Sequence, residues 1–186
     1  MERNKIKFII NGEEREGRIT GKTEEFSIIK FDYHEYNYIK PDGTLLSPDE
    51  NFVDVYDFKD GVAIVVKKGD RYNFIKPDGT FLSPIDFLFV EEFKEGFAAV
   101  EKEGVYWNYI RIDGTYLSLN EDFEETYDFK EGLGLVQRKN KLFNYIRPDG
   151  TLLSPNMDFE DAEFFENGQA EILIKCKLDK DGNIII

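Results

Sequence analysis

An Asp-Gly pair returns along this chain at nearly equal intervals: Asp42-Gly43, Asp78-Gly79, Asp113-Gly114 and Asp149-Gly150 give glycine spacings of 36, 35 and 36 residues, and Asp181-Gly182 follows after 32. Self-similarity at one period of this size marks a repeat architecture, in which each unit buries its apolar face against its neighbours. The frame around the pair repeats too. Aromatic-Asn-aromatic-Ile precedes it as Tyr36–Ile39, Tyr72–Ile75, Trp107–Ile110 and Phe143–Ile146. Thr-x-Leu-Ser follows it, ending at Ser47, Ser83, Ser118 and Ser154. Then come Phe52, Phe87, Phe123 and Phe159, and the Phe-x-x-Gly elements Phe58–Gly61, Phe93–Gly96, Phe129–Gly132 and Phe165–Gly168.

The segments between these marks read as strands. Val62–Val66 and Tyr72–Lys76 are β-branched and aromatic runs joined by Lys-Lys-Gly-Asp-Arg, which is hairpin chemistry. Pro77-Asp78-Gly79 supplies a second turn, because Pro presets φ and Gly accepts the left-handed conformation. Phe81-Leu82-Ser83 is expected to complete a third strand, while residues 86–92 fit either a short fourth strand or an irregular connector. No window has a helical period long enough to compete. The expected class is all-β: tandem antiparallel three-stranded repeats of ~36 residues, stacked as an open twisted array, with a closed five-bladed propeller-like ring as the alternative. The organisation expected is a β-hairpin cap over residues 1–24, four repeats over 25–167, and a truncated fifth repeat or C-terminal cap over 168–186. One column stays small at the second residue of the first strand: Ser27, Ala63, Ala98, Gly134 and Ala170. Some backbone is expected to pass close to it, as small residues let strands or successive units approach.

The frame resembles the bacterial WG (or KWG) repeat, whose unit runs from Phe-x-x-Gly through Ala-x-Val to Trp-Gly-Tyr-Ile and an Asp-Gly turn. The resemblance covers residues 25–186, and it is a variant: aromatic-Asn stands in place of Trp-Gly in every full repeat, with Trp kept only at Trp107. It implies a binding or structural array and supplies no catalytic residues.

Composition narrows the function. With 24 Lys and Arg against 38 Asp and Glu the net charge is −14, which opposes phosphate backbones and anionic lipid. Neither nucleic acid nor membrane is expected as a partner. One His and one Cys leave no set for a zinc site or an internal disulfide. No cofactor, metal or catalytic residue is expected, and the absence of a leader-like or membrane-spanning run points to a cytoplasmic protein. Gly17-Arg-Ile-Thr-Gly21-Lys22-Thr23 has one residue too few between its glycines for a phosphate-binding loop. Asp179–Asn183 opens like a calcium loop, but the chain ends before the twelfth-position Glu. The recurring carboxylates belong to the repeat frame, so no acid-base pair stands apart.

Two surfaces remain as candidates. Alternation along the strand before each Asp-Gly turn makes Tyr38, Phe74, Tyr109 and Tyr145 an aromatic ladder, which could stack sugars if exposed and is core if not. Acidic residues gather between strand groups, with Glu91, Glu92, Glu124 and Glu125 as the proposed contacts for a basic partner. The Asn column, Asn37, Asn73, Asn108 and Asn144, is expected to satisfy backbone groups of a neighbouring turn. The leading expectation is a non-catalytic module for protein-protein interaction. An acidic inhibitor or immunity-type protein that blocks a basic partner, and a carbohydrate-binding module using the ladder, are the alternatives.

Overall fold

The computed structural model describes residues 5–10, 12–23, 25–31, 34–104, 106–178 and 184–185. These residues form strands and turns with no helix, and the strands pair antiparallel in small sheets, none closed on itself. The chain divides into two compact units, Met1–Glu92 and Phe93–Ile186.

The first unit holds β1 (Lys5–Ile10), β2 (Glu13–Lys22), β3 (Ser27–Lys30), β4 (Tyr36–Ile39), β5 (Asp54–Val55), β6 (Ala63–Lys67), β7 (Arg71–Ile75) and β8 (Phe89–Val90). The N-terminal hairpin β1-β2 continues into β3 and β4 as one four-stranded sheet, with a register shift between Ile19 and Gly21. β5-β6-β7 is the first three-stranded repeat, Ala63 facing Ile75 and Lys67 facing Arg71. The second unit holds β9 (Phe97–Lys102), β10 (Tyr106–Arg111), β11 (Glu125–Lys130), β12 (Leu133–Gln137), β13 (Phe143–Ile146), β14 (Asp161–Ala162), β15 (Ile172–Leu173), β16 (Lys177–Leu178) and β17 (Ile184–Ile185). β9 and β10 pair as a hairpin, β11-β12-β13 form a second three-stranded repeat, and β14-β15 and β16-β17 are two-stranded.

The three-stranded unit is present, but its third strand is not the expected one. Phe81 makes a single bridge to Ile75, and Phe81–Ser83 forms no strand; the repeat is completed by the two-residue strand ahead of Phe-x-x-Gly, as β5 and β14 show. The reason is competition for hydrogen bonds. After Leu82 bonds the Phe74 carbonyl, the Asn73 side chain takes both the N–H and the C=O of Ser83, so the segment leaves the ladder.

The two turns differ in kind. At Phe-x-x-Gly, Asp60 (φ 51°) and Gly61 (φ 84°) are both left-handed, and Lys59 and Val62 exchange hydrogen bonds of 2.9 and 3.1 Å, the two-residue turn whose twist matches a hairpin. At Pro-Asp-Gly, the Gly79 N–H donates to Lys76 O at 2.9 Å, and Lys76 N–H donates to Thr80 O at 2.8 Å across a glycine at φ 87°. A side chain at Gly79 would also strike the Leu46 carbonyl of the preceding repeat, 2.4 Å from where a Cβ would stand. Glycine is therefore required twice over.

In each of these turns the aspartate accepts from the threonine two residues on, through N–H at 2.8–2.9 Å and the hydroxyl at 2.6–2.7 Å. The threonine hydroxyl, then its N–H, holds Asp42, Asp78, Asp113 and Asp149 below the usual carboxylate range. A depressed folded value means that the contribution is complete above the unfolded pKa of about 3.9 and is lost as pH falls through the folded one. Urea midpoints measured from pH 7 to pH 2.5 should therefore fall less steeply for a variant carrying Asn at all four positions, because Asn keeps the acceptor but does not titrate.

Candidate functional site

The polar column of each repeat is built around one buried asparagine. Asn37, Asn73, Asn108 and Asn144 lie mid-strand with no more than 1% of their surface exposed. Each Nδ2 donates to the carbonyl of the serine ten residues on, at 2.6–3.1 Å. It also donates to a second loop carbonyl, that of Glu50, Ile85, Glu121 or Met157. Each Oδ1 accepts from the next residue's N–H at 2.8 Å and from the serine N–H at 3.2–3.4 Å. The amide thus replaces a ladder for the Thr-x-Leu-Ser segment, and the column is structural, as the sequence suggested.

A charge pair completes this arrangement in three repeats. Nδ2 of Asn73, Asn108 and Asn144 also reaches Asp86, Asp122 and Asp158 at 2.8–2.9 Å. Those carboxylates meet Lys67, Lys102 and Arg138 at 3.2, 2.9 and 2.8 Å. Burial raises the Asp122 pKa, and the bonds from Lys102 and Asn108 overcome it, so the carboxyl stays below its ordinary value. The first repeat changes both partners together: neutral Asn51 replaces the aspartate, and Phe31, packed edge-on against Phe8, stands where the cation does elsewhere. A carboxylate without its cation would carry the cost of partial burial alone.

The aromatic ladder is interior. Tyr38, Phe74, Tyr109 and Tyr145 are only 0–2% exposed, so they offer no surface to a sugar ring, and the carbohydrate-binding reading loses the residues on which it stood. The tyrosine hydroxyls instead tie one repeat to the next: Tyr38, Tyr109 and Tyr145 donate to the carbonyls of Tyr56, Tyr127 and Glu163, each 18 residues on. Tyr109 also reaches Leu135 O at 3.0 Å, passing beside Gly134, so at this member of the small column a side chain rather than the expected backbone makes the close approach.

The four glutamates are distributed over the two units, Glu91 and Glu92 in the first, Glu124 and Glu125 in the second. Glu92 pairs with Lys59 at 2.7 Å, Glu124 pairs with Lys141, and Glu125 accepts from the Tyr127 hydroxyl. Burial, then Glu125, pushes that phenol up to about 12. Glu92, Glu124 and Glu125 are thus already engaged locally. Gly17–Thr23 lies largely in β2, where a Cβ on Gly17 would meet Ile29 and Phe31 at 2.7–2.9 Å; the glycine serves packing. Asp179–Asn183 lies outside the described residues. Among the described residues, no three His, Cys, Asp or Glu side chains converge as metal ligands, and no helix is long and apolar enough to cross a membrane.

The truncated last repeat holds a feature that the residue pattern did not single out. An open groove of about 810 Å³ lies beside β14 and the turn that follows it, with Tyr127, Leu135, Phe143, Asp161, Glu163 and Glu171 in its lining. Ile172 and Leu173 of β15 are 46% and 56% exposed, whereas Val65, Val100 and Val136, at the register of Ile172 in the complete repeats, are 0% exposed. A period comparison of burial, rather than of residue type, is what finds it.

None of the curated proteins matches the chain. Among solved structures it is similar to the computationally designed Ika8 protein (12% identity, 89% of this chain and 60% of that one, TM-score 0.42). It is also similar to the designed Ika4 protein (12%, 74% and 94%, 0.40) and to the WD40 β-propeller domain of Doa1 (11%, 98% and 85%, 0.34). Residues 74–106, from the aromatic strand of one repeat to that of the next, match the family model described as WG containing repeat, and the chain therefore carries the WG-type repeat that its Phe-x-x-Gly and Asp-Gly frame resembles.

Proposed function

We propose that this chain is a non-catalytic β-repeat module that binds a partner protein of basic character. The observation that carries the reading is how the charge is used. Lys67, Lys102 and Arg138 are each met by a carboxylate within their own repeat, and the chain as a whole keeps an acidic surplus, a net charge of −14. Such a surplus steers a positively charged partner and speeds association at low salt. The recurring polar residues support the same reading, because each has a structural task within the repeat.

Surface plasmon resonance of the immobilised chain against a purified candidate partner, captured from the native host's lysate, tests this. Association should slow at least tenfold between about 50 and 300 mM salt, since exposed charges are screened within about 8 Å at physiological ionic strength. Converting Glu91, Glu92, Glu124 and Glu125 to Lys should slow it further. Association that ignores both salt and charge reversal would refute an electrostatically recruited partner.

A further inference from the structure

We propose that Asn167-Gly168 is a site of spontaneous deamidation, and that the Glu131 carboxylate is the latch that keeps it unreactive while the last turn is closed. The chain has two Asn-Gly pairs, Asn11-Gly12 and Asn167-Gly168. In such a pair the asparagine is the more thermolabile, because glycine carries no side chain to shield the N–H that follows the amide. Asn11 lies outside the described residues. Asn167 is exposed in the lining of the open groove, where water reaches it, and among the described residues its side-chain amide makes no hydrogen bond. It differs in this from the buried column of Asn37, Asn73, Asn108 and Asn144, whose amides are bonded on both sides.

The reaction is an internal substitution followed by hydrolysis. The Gly168 backbone nitrogen gives up its proton and bonds to Cγ of Asn167, the Cγ–Nδ2 bond breaks, and the amide nitrogen leaves as ammonia with that proton. Water then opens the cyclic imide at one carbonyl or the other, giving aspartate or isoaspartate. The nitrogen that must attack is the one that Glu131 holds: Oε2 accepts the Gly168 N–H at 2.8 Å, while Oε1 accepts the Asn167 N–H at 2.8 Å. A carboxylate against an N–H opposes its deprotonation, since two negative charges would then face each other, and a charge-assisted bond must be broken first. The turn is also closed by Glu166 N–H to Gln169 O at 2.7 Å and Gln169 N–H to Glu166 O at 3.2 Å, with left-handed φ of 54° at Asn167 and 76° at Gly168. Reaction therefore belongs to the locally opened turn.

The register of the site sets what each product does. Asp60, Glu95 and Glu131 stand at the same left-handed turn position in the earlier repeats, so the aspartyl product restores the acid of the frame at position 167. The isoaspartyl product carries an extra methylene in the main chain. A turn of two left-handed residues has no room for another backbone atom, so the Glu166–Gln169 bonds are lost and the join between β14 and β15 opens. Both of those strands are only two residues long, which leaves little pairing to hold the hairpin once its turn is gone.

The test follows conversion at Asn167 and at Asn11 by peptide mass mapping, with isoaspartate resolved by chromatography, in the full chain held at neutral pH either folded or unfolded in guanidinium chloride. Asn167 should convert at least about tenfold more slowly in the folded chain than in the unfolded one, a factor set by the bond to a charged acceptor. Glu131→Ala, shown to be folded by its urea midpoint, should raise the Asn167 rate about tenfold relative to that of Asn11 in the same sample. Should that variant fold poorly, Glu131→Gln, which keeps one acceptor oxygen and no charge, should raise it by a smaller factor. Glu95→Ala frees the amides of the preceding turn and leaves the Glu131 bonds in place, so it should leave the Asn167 rate within about twofold of the parent. No conversion at Asn167 in the unfolded chain, equal rates in the folded and unfolded chain, or a rate unchanged in the folded Glu131 variants overturns the proposal. Acceleration by Glu95→Ala equal to that by Glu131→Ala overturns it as well, because protection would then come from the repeat as a whole and not from the latch.

Discussion

Asn108→Ala should lower the unfolding free energy by about 3 kcal/mol, because the truncation strips partners from several groups at once. The N–H groups of Tyr109 and Ser118 and the carbonyls of Ser118 and Glu121 all bond this amide, which is 1% exposed. Each buried group left without a partner costs about 1–3 kcal/mol, and local relaxation keeps the total below their sum. Asn108→Asp should be no better. A carboxylate can still accept from the two N–H groups, but it would face the Ser118 and Glu121 carbonyls and the Asp122 carboxylate with no donor. Urea unfolding read by tryptophan fluorescence checks both variants, with an unchanged slope showing that stability rather than compactness has changed. A midpoint within error of the parent would overturn the structural assignment of the whole asparagine column.

Gly134→Ala is the second large effect, and two physical terms predict opposite signs for it. Replacing glycine within a strand should stabilise by about 0.5–1 kcal/mol through the unfolded chain. Packing decides against it: a Cβ at Gly134 would stand 2.7 Å from Phe129 Cε2 and 2.9 Å from the Tyr109 hydroxyl oxygen. Neither neighbour can retreat cheaply, since Phe129 stacks on Phe97 at 4.1 Å and Tyr109 is held by the Tyr127 and Leu135 carbonyls. Overpacking of this kind costs about 1–3 kcal/mol. The net change should therefore be a loss of about 1–2 kcal/mol, and adding Tyr109→Phe should cost less than the sum of the two single changes, because the hydroxyl is one of the two obstacles. Thermal unfolding of the two single variants and the double variant measures this coupling.

What could be read from the residues alone follows from how far each interaction reaches. The Asp-Gly turn is local, closing within four residues, so its chemistry is visible in Pro-Asp-Gly-Thr itself. The Asn column was legible because an amide in a strand is out of place and four in register demand a cause. The short strand was half legible: residues 86–92 fitted a short strand or a connector, and Phe89–Val90 is a strand, but at two residues it and its counterparts Asp54–Val55 and Asp161–Ala162 lie below any alternation, and the pairing of the latter two is set by strands about ten residues further on. Phe81–Ser83 looked more like a strand, and only the Asn73 amide, from the opposite side of the turn, decides otherwise. The ladder aromatics sit at the right alternation for either face, and burial of Tyr38 and Tyr145 depends on the following repeat, which residue type cannot reveal. Ile172 was hidden for the reverse reason. Its residue type fits the register, and what changed is the neighbour that should cover it.

In the second unit the carboxylate of Glu95 receives the N–H groups of Glu131 and Gly132 at 3.1 and 2.8 Å, and Glu131 in turn receives those of Asn167 and Gly168 at 2.8 Å each. The left-handed pair that makes each hairpin turn leaves two N–H groups aimed the same way, and the acid at the first position of one turn fills the pair of the next. The linkage has a direction. The turn at Glu131–Gly132 gives its amides to the turn before it and its carboxylate to the turn after it, like hook and eye along a seam. Damage at Glu95 therefore loosens the turn at 131–132 and leaves its own turn closed, and Asn167, with no carboxylate to extend, is where the seam stops. A chain laced this way can gain or lose whole units without any new joint being invented, provided that the last hook is blunted.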